Sequence, residues 1–582
     1  MGQPTAIFQS FDPTVSGWSV ALERPCAVHT ARSLDEVQQV LQSAEQAAQA
    51  GKWVAVMLSY EAAPAFDSAF ITRPSTDLPL AWAAVFDQAH AESAWGSPGP
   101  YQVGDWAPRV TRAEYAEAIR RIHAYIEAGH TYQVNYTFPL QARFTGDEKA
   151  WFLDLHRSQR AAYSAYLDLG RFKILCLSPE LFFERHGDRV VTRPMKGTWR
   201  RGRWLAEDEA FRHELASCPK NRAENLMIVD LLRNDLGRVA APGSVRVPRL
   251  FEVERLETVL QMTSTVEAKS RAGLGFTDVV RALFPCGSIT GAPKIRTMEI
   301  IRELEPFSRQ VYTGAIGYLR PGGDAVFNVV IRTVLLDSET HEAVFGVGGG
   351  VTHDSTEAGE YDECLLKARF LTEGRPRFDL LESLLLADGE YFLLDRHLER
   401  LRSSAVLFRF RVEDGAVRQA LEAVRQQHPR GRWKVRLLVG PDTGVRTEAQ
   451  ELPASGDEPV RVRLAPQPVD PDDPFLYNKT THRAVYERML KACSGCGDVL
   501  LWNTRGEVTE SCYANVVIEQ DGGKWTPPVA CGLLAGTFRA ELLARGEIRE
   551  RVVTVDEVRR ATGLYLINSV RKWRQAVLVD GP

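Results

Sequence analysis

Between Lys220 and Arg238 the apolar residues Leu226, Met227, Val229, Leu232 and Leu236 recur at helical spacing, and Glu224 and Asp235 fall about three turns apart on one face. The spacing predicts a helix that ends at Gly237, with Asp230 and Arg233 as a surface pair. A second long helix is predicted from Thr111 to Ala128, where Thr111 and Glu114 form a capping box. Glu360, Glu363 and Lys367 share a third helical face by i, i+3 and i+7 spacing. Short apolar runs and alternation predict strands at Trp53–Glu61, from Ala161 to Leu169, from Phe172 to Leu177, at Ser244–Pro248, Leu250–Glu254 and Tyr312–Tyr318, and from Val329 to Thr333. Gly96–Pro100 is a predicted loop, as is Phe284–Lys294, in which Ala292 and Pro293 open a helix running through Ile295 to Leu304. The pattern lapses after Glu373 and restarts at Phe378, which divides the chain into a unit 1–373, whose N-terminal part is 1–105, a linker 374–377 and a unit 378–582.

Composition narrows the class. At 582 residues the chain exceeds one ordinary core, and 44% apolar with 25% charged residues is the balance of a soluble globular protein. A net charge of −4 with no basic run argues against nucleic acid as a partner. No run of apolar residues is long enough to span a membrane and no leader is legible, so a cytoplasmic protein is expected. Nine scattered cysteines do not make a disulfide framework, and Cys493-Ser-Gly-Cys496 lacks the second pair that a zinc site requires.

Several residues stand out chemically. Arg332 follows the apolar run Ala325–Ile331, where a cation is costly unless it faces an anion; a guanidinium suits a carboxylate. Glu224, Glu360 and Glu363 supply three oxygen donors without thiol or imidazole, a set that suits magnesium. Gly346-Val-Gly348-Gly349-Gly350 has the look of a dinucleotide loop, but no regular helix opens directly behind it.

The string Lys220–Arg238 closely resembles the signature of the chorismate-utilising enzymes, and Ser59–Asp67 resembles a string of aminodeoxychorismate synthases. The resemblance implies an α/β (α+β) fold, a β-sandwich surrounded by helices like that of anthranilate synthase component I. It implies that Glu224 helps to hold magnesium, and that Lys196 in Arg193-Pro-Met-Lys-Gly-Thr198 attacks the chorismate ring as a nucleophile. Anthranilate-forming relatives carry a small residue at that position, and isochorismate synthases place their lysine elsewhere. An amine attacks only when neutral, so such a site has to favour the free base. By the same resemblance Glu180 assists the leaving hydroxyl, while Gly197, Thr198, Thr290, Tyr312, Arg332, Gly348, Gly349 and Lys367 line the substrate pocket.

After the linker a different resemblance begins. Tyr391–Ala405, Leu476–Arg483, Gly506–Val517 and Cys531–Arg539 resemble the fold-type IV pyridoxal-phosphate enzymes, which have two subdomains and usually form homodimers. That resemblance implies that Lys479 binds the cofactor aldehyde, Glu510 faces the pyridine nitrogen, and Arg400, Gly536 and Thr537 hold the phosphate. No tyrosine stands five residues after Lys479, which leaves the partner of the cofactor's phenolic oxygen unassigned. Leu380–Ser383 resembles a tryptophan-binding string of anthranilate synthases but lies far from its place there, and is set aside as chance. Leu564–Arg574 resembles the closing strand of aminodeoxychorismate lyases.

Together the two resemblances imply a bifunctional enzyme of 4-aminobenzoate synthesis for folate, acting on chorismate and ammonia. No glutaminase nucleophile motif is present, so ammonia is expected free or from a separate glutamine amidotransferase subunit. The rival readings are an anthranilate or isochorismate synthase joined to a class IV aminotransferase, and a catalytically silent scaffold for a glutaminase.

Overall fold

A strand of 14 residues, Gln133–Gly146, is the spine of the first unit. Its alternate residues Val134, Tyr136, Phe138, Leu140, Ala142 and Phe144 are apolar and buried. They pack against Tyr115, Ala118, Ile119 and Ile122 of the helix Arg112–Glu127 and against Tyr361 and Cys364 of Glu357–Ala368. The intervening residues Gln133, Asn135 and Thr137 are polar and turn to the other face, where the candidate site lies. Capping by Thr111 and Glu114 is present as the sequence predicts.

The computed structural model describes residues 5–579 apart from 13–14, 16, 75–76, 92–97, 375, 442–443, 454–457 and 494. Gly96 and Ser97 of the predicted loop, Arg375 of the predicted linker and Ser494 of the Cys-x-x-Cys lie outside the described residues. The chain divides into two compact units, Met1–Arg200 with Arg212–Arg375, and Arg201–Phe211 with Pro376–Pro582. The inclusion of 201–211 in the second unit departs from a simple boundary near residue 375.

In the first unit the spine pairs with Glu342–Val351, and the sheet continues through Thr333–Asp337, Phe172–Ser178, Tyr163–Asp168, Thr5–Gln9 and Val20–Glu23. A second ten-stranded sheet runs from Met195–Arg200 through Val259–Lys269, Arg189–Arg193, Leu181–His186, Ala325–Val329, Ala315–Leu319, Trp53–Leu58 and Ala81–Phe86 to Ala27–Ala31. Phe8, Tyr163 and Ile174 from the first sheet meet Met57, Trp82 and Ile316 from the second in one buried cluster, so the sheets form a sandwich. The helices Leu34–Gln49, Pro219–Gly237 and Phe276–Leu283 cover the outside of the second sheet.

Some local expectations are corrected. Leu226 is 43% exposed, because the buried stripe of its helix runs through Ile228, Val229, Leu232 and Leu236, and Leu226 falls nearly opposite Ile228. The strand from Trp53 stops at Leu58, and Tyr60–Ala65 form a 3-10 turn with Pro64 inside. The two pieces predicted between Ser244 and Glu254 are one strand, Arg246–Arg255. Arg332 is not in a strand: its φ of 50° breaks the chain between Ala325–Val329 and Thr333–Asp337.

The second unit has two parts. A four-stranded sheet containing Leu380–Ala387, Arg432–Gly440 and Gly444–Glu451 is covered by the helices Leu394–Phe408 and Asp414–Gln427. An eight-stranded sheet contains Val508–Ser511 and Asn515–Gln520, which meet at the register pair Glu510 and Asn515, and has Gly563–Asn568 and Lys572–Leu578 as neighbours in its middle. Among the described residues no helix is long and apolar enough to cross a membrane.

Candidate active site

Lys196 sits on a β-bulge. Met195 pairs with Thr263 and Thr198 with Gln261, so Lys196 and Gly197 together oppose Met262 alone. A bulge re-aims the side chain, and the Lys196 amine reaches Glu224 Oε2 at 3.4 Å. The neighbouring Asn225 fixes the backbone of the same residue: its Nδ2 donates to the Lys196 carbonyl (3.0 Å), and its Oδ1 accepts from Ser264 (2.6 Å). Successive residues of the helix Pro219–Gly237 therefore address the amine and the carbonyl of Lys196.

Glu180, Glu360 and Glu363 are also electrostatic neighbours of Lys196, so one amine stands among four carboxylates. Burial pushes the Glu180 carboxyl up to about 7, against the pull of a hydrogen bond from Ser288 Oγ (2.7 Å), the Met195 amide and Lys196. Burial also raises Glu360, which accepts from Ser355 Oγ (2.6 Å). Burial opposes ionisation of Glu363 too, but Lys367 at 2.9 Å outweighs it and holds that carboxyl below its ordinary value. Lys367 also donates to the Gly348 carbonyl (2.8 Å).

The expected magnesium set is brought to one neighbourhood but not into a coordinating group. Among the described residues no three His, Cys, Asp or Glu side chains stand close enough to hold one ion. Glu224 turns to Lys196 and Glu363 to Lys367, the pairing that carboxylates adopt when lysines are the nearest cations. Their donor chemistry, hard oxygen alone, fits magnesium.

The Gly346–Gly350 run is a strand rather than a loop, paired residue for residue with Tyr136, Thr137 and their neighbours. Gly346, Gly348 and Gly350 share the face that carries Gln133, Asn135 and Thr137. A Cβ at Gly350 would push against the end of the Lys196 side chain and that of Gln133, so a larger residue there displaces the amine. Along the same face a cavity of about 290 Å³ is lined by Tyr312, Gly346, Thr333, Thr137, Glu305 and Arg309. Tyr312 lies against Gly346, partly buried, and desolvation raises its phenol. Thr290 spends its hydroxyl on the Cys286 and Gly287 carbonyls (3.1 and 3.3 Å). Gly197 accepts from Gln261 Nε2 (2.8 Å), and the exposed Thr198 bonds the same side chain (3.1 Å). Arg332 donates to Gln159 Oε1 (3.1 Å), and burial lowers its guanidinium to about 10, with no carboxylate paired to it among the described residues.

In the second unit Lys479 follows the 3-10 turn Pro474–Leu476, and its carbonyl accepts from the Leu381 amide (3.0 Å). Burial, with Arg400 and Arg483 nearby, lowers its amine to about 8. Glu510 is buried and raised to about 7, although the Tyr486 hydroxyl donates to it at 2.8 Å. Arg400 forms a fork on Glu382 (2.9 and 2.6 Å) and donates to the Ala535 carbonyl (3.2 Å), beside Gly536, the cap of the helix Thr537–Ala544. A Cβ on Gly536 would strike the Asn515 side-chain oxygen. Burial alone would raise Glu382, yet Arg400 and His397 hold it at about 2. His397 Nδ1 lies 2.6 Å from Glu382, and its Nε2 lies 3.2 Å from the Thr537 hydroxyl. An amine near neutrality, a helix N-terminus beside a guanidinium and a buried carboxyl fit an aldehyde, a phosphate and a basic ring nitrogen respectively.

Sequence reasoning missed Gln133, Asn225 and Ser288 in the first unit and Glu382, His397 and Tyr486 in the second. Gln133 is fully buried, and neither polar atom of its side chain has a partner among the described residues. Its signal was a polar residue in register with the inner face of a strand. Glu382 was legible as a lone carboxylate in the apolar run Leu380–Ala387.

The chorismate binding enzyme family matches residues 3–373, and the class IV amino-transferases match residues 379–579. Aminodeoxychorismate synthase component 1 of Klebsiella aerogenes is 48% identical over 259 residues, 44% of this chain and 57% of that one. Anthranilate synthase component 1 of Streptomyces coelicolor is 40% identical over 286 residues, 47% of this chain and 54% of that one. The chain thus spans little more than half the length of these relatives. The crystal structure of anthranilate synthase component I from Streptococcus pneumoniae TIGR4 superposes with a TM-score of 0.54 at 24% identity, covering 61% of this chain and 92% of that one, a likeness of fold. With more than half its residues matched, the chain belongs to the family of chorismate binding enzymes, with a class IV aminotransferase-like domain behind.

Proposed function

We propose that the chain makes 4-aminobenzoate in two steps, first 4-amino-4-deoxychorismate from chorismate and ammonia with release of water, then 4-aminobenzoate and pyruvate from that amine. The observation that carries the first step is the Lys196 amine beside Glu180, a carboxyl raised to about 7. Near neutrality such a group is partly protonated and suited to general acid work. Lys196 forms a bond to the ring while the carbon–hydroxyl bond breaks; Glu180 gives its proton to the departing oxygen, and ammonia then displaces the lysine. Tyr312, Arg332, Thr290, Gly197, Thr198, Gly348, Gly349 and Lys367 are proposed contacts of the substrate. Glu224, Glu360 and Glu363 would hold magnesium, which supplies a charge contact for a substrate carboxylate when bound.

For the second step, Lys479, Arg400, Glu510, Gly536 and Thr537 would hold pyridoxal phosphate, which supplies an electron sink when bound. Lys479 moves the proton from the amine-bearing carbon, and expulsion of pyruvate leaves the ring aromatic. Ammonia comes free or from a separate glutamine amidotransferase. Incubation of the whole chain with chorismate, ammonium, magnesium and pyridoxal phosphate is expected to yield 4-aminobenzoate and pyruvate in equal amounts. The rival product, anthranilate, is favoured by the 40% identity to an anthranilate synthase and has the same mass, so chromatography against both standards decides; anthranilate as sole product ends the proposal.

Gly350→Ala is expected to lower the rate of the first step about a hundredfold, since an added methyl displaces the Lys196 amine from its place. Initial rates with saturating ammonium, beside a thermal melt that stays near the parent's, test this; undiminished turnover would show that the amine need not sit there.

A further inference from the structure

Residues 201–211 lie in sequence just behind the strand Met195–Arg200, yet they belong to the second unit. What they hold there is the run leading into Lys479. Arg203 Nη1 donates to the Tyr477 hydroxyl (3.2 Å) and to the Pro471 carbonyl (3.1 Å). The Arg203 carbonyl accepts from Asn478 Nδ2 (2.9 Å). Trp204 stacks on Tyr477 with ring centroids 4.9 Å apart and planes 27° from parallel, and the Arg203 guanidinium lies 5.2 Å from the Tyr477 ring. Arg201 fixes the start of the segment by donating to Asp208 (2.7 Å) and to the Leu407 carbonyl (2.6 Å), in the helix that carries Arg400.

Tyr477 and Asn478 are both buried, and they are the two residues immediately before Lys479. Lys479 itself lies in neither helix nor strand. Asn478 is otherwise held by the Pro474 carbonyl (2.9 Å) and the Ser404 hydroxyl (3.0 Å). The direction of the Lys479 side chain thus follows from how Tyr477 and Asn478 are seated, and Arg203, 274 positions before Tyr477 and 275 before Asn478, completes that seat.

We propose that Arg203 and Trp204 are positioning residues of the second active site, setting Tyr477 and Asn478 and through them the aim of the Lys479 amine. This rests on the reading of Lys479 as the aldehyde-binding lysine. It also means that a fragment starting at residue 376 lacks part of its own site.

The test uses the full-length chain, freed of cofactor and titrated with pyridoxal phosphate by visible absorbance. Trp204→Ala and Arg203→Ala are each expected to weaken binding about tenfold or more, the first through loss of an aromatic stack and the second through loss of the guanidinium's hydrogen bonds to Tyr477 and Pro471. The pH midpoint of aldehyde capture is expected to rise in both, as Lys479 becomes less confined. Trp204→Phe, which keeps a stacked ring, is expected to recover affinity to within about threefold of the parent. Formation of the chorismate-derived amine, assayed separately, is expected to be unchanged. Unaltered affinity and midpoint in both alanine variants overturn the proposal, as does a fall in affinity that Trp204→Phe fails to recover. Where an alanine variant does not fold, Trp204→Phe and Arg203→Lys carry the test: the first is expected to bind like the parent and the second more weakly, and a lysine variant that binds like the parent overturns it. A Lys479→Ala chain that still develops the visible band refutes the reading of Lys479 instead.

Discussion

Replacing Lys196 with alanine is expected to lower formation of 4-amino-4-deoxychorismate by about a thousandfold or more, because the substitution removes the bond-forming atom rather than a contact. The geometry favours a clean experiment. Asn225 holds residue 196 through its backbone carbonyl, which alanine retains, and the bulge depends on Gly197 and on the pairing of Met195 and Thr198 with the next strand. The variant is therefore expected to fold, with a thermal transition near that of the parent. Lys196→Arg supplies the complementary control: it keeps a cation beside Glu224 but offers no nucleophilic amine, so it is expected to be as inactive as alanine. Substantial turnover in the arginine variant would mean that position 196 serves as a charge, and the covalent scheme would have to be abandoned. Appearance of anthranilate in the alanine variant would indicate that ammonia can attack the ring directly when the lysine is gone.

Much of this site was legible because its residues sit in uninterrupted local patterns. Glu360, Glu363 and Lys367 are one face of one helix, and the Glu363–Lys367 pair forms as i, i+4 spacing requires. Glu224 was singled out by the resemblance of the string around it, not by its helical spacing. What local pattern could not reveal was which groups meet across the sandwich. Gln133 and the Lys196 amine both come up to Gly350 because the spine strand pairs with the glycine strand in one register, and Asn225 reaches the Lys196 carbonyl because a helix lies on the bulged edge. Arg332 read as the end of a strand because its neighbours are apolar, yet a positive φ turns it out of the ladder, and only the folded chain shows that its partner is Gln159. In the second unit Glu382 was passed over on the strength of its neighbours' resemblance elsewhere. Its own chemistry was the better guide, since a buried carboxylate in an apolar strand demands the cation that Arg400 supplies and the hydrogen bond that His397 supplies. Residues 201–211 were beyond any sequence argument, for nothing local marks a segment whose partners lie some hundreds of residues later.

The second large effect is expected at Lys479. Lys479→Ala is expected to leave a chain that stays colourless after cofactor is supplied and the excess removed, and to lower pyruvate release by about a thousandfold or more. Alanine retains the carbonyl that accepts from Leu381, so the strand contact persists and the loss is again one of chemistry. The parent chain adds a test that needs no substitution. Burial, with Arg400 and Arg483 nearby, lowers the Lys479 amine to about 8, and the neutral amine is the form that attacks an aldehyde. A lowered value places the free base at lower pH than an exposed lysine allows, so the rate of cofactor capture is expected to climb with pH, reach half its limit near 8 and level off above. An exposed lysine would keep gaining until past 10. A capture rate that still rises steeply above pH 9 would show that the amine is not confined between these guanidinium groups, and the assignment of the second site would fail with it.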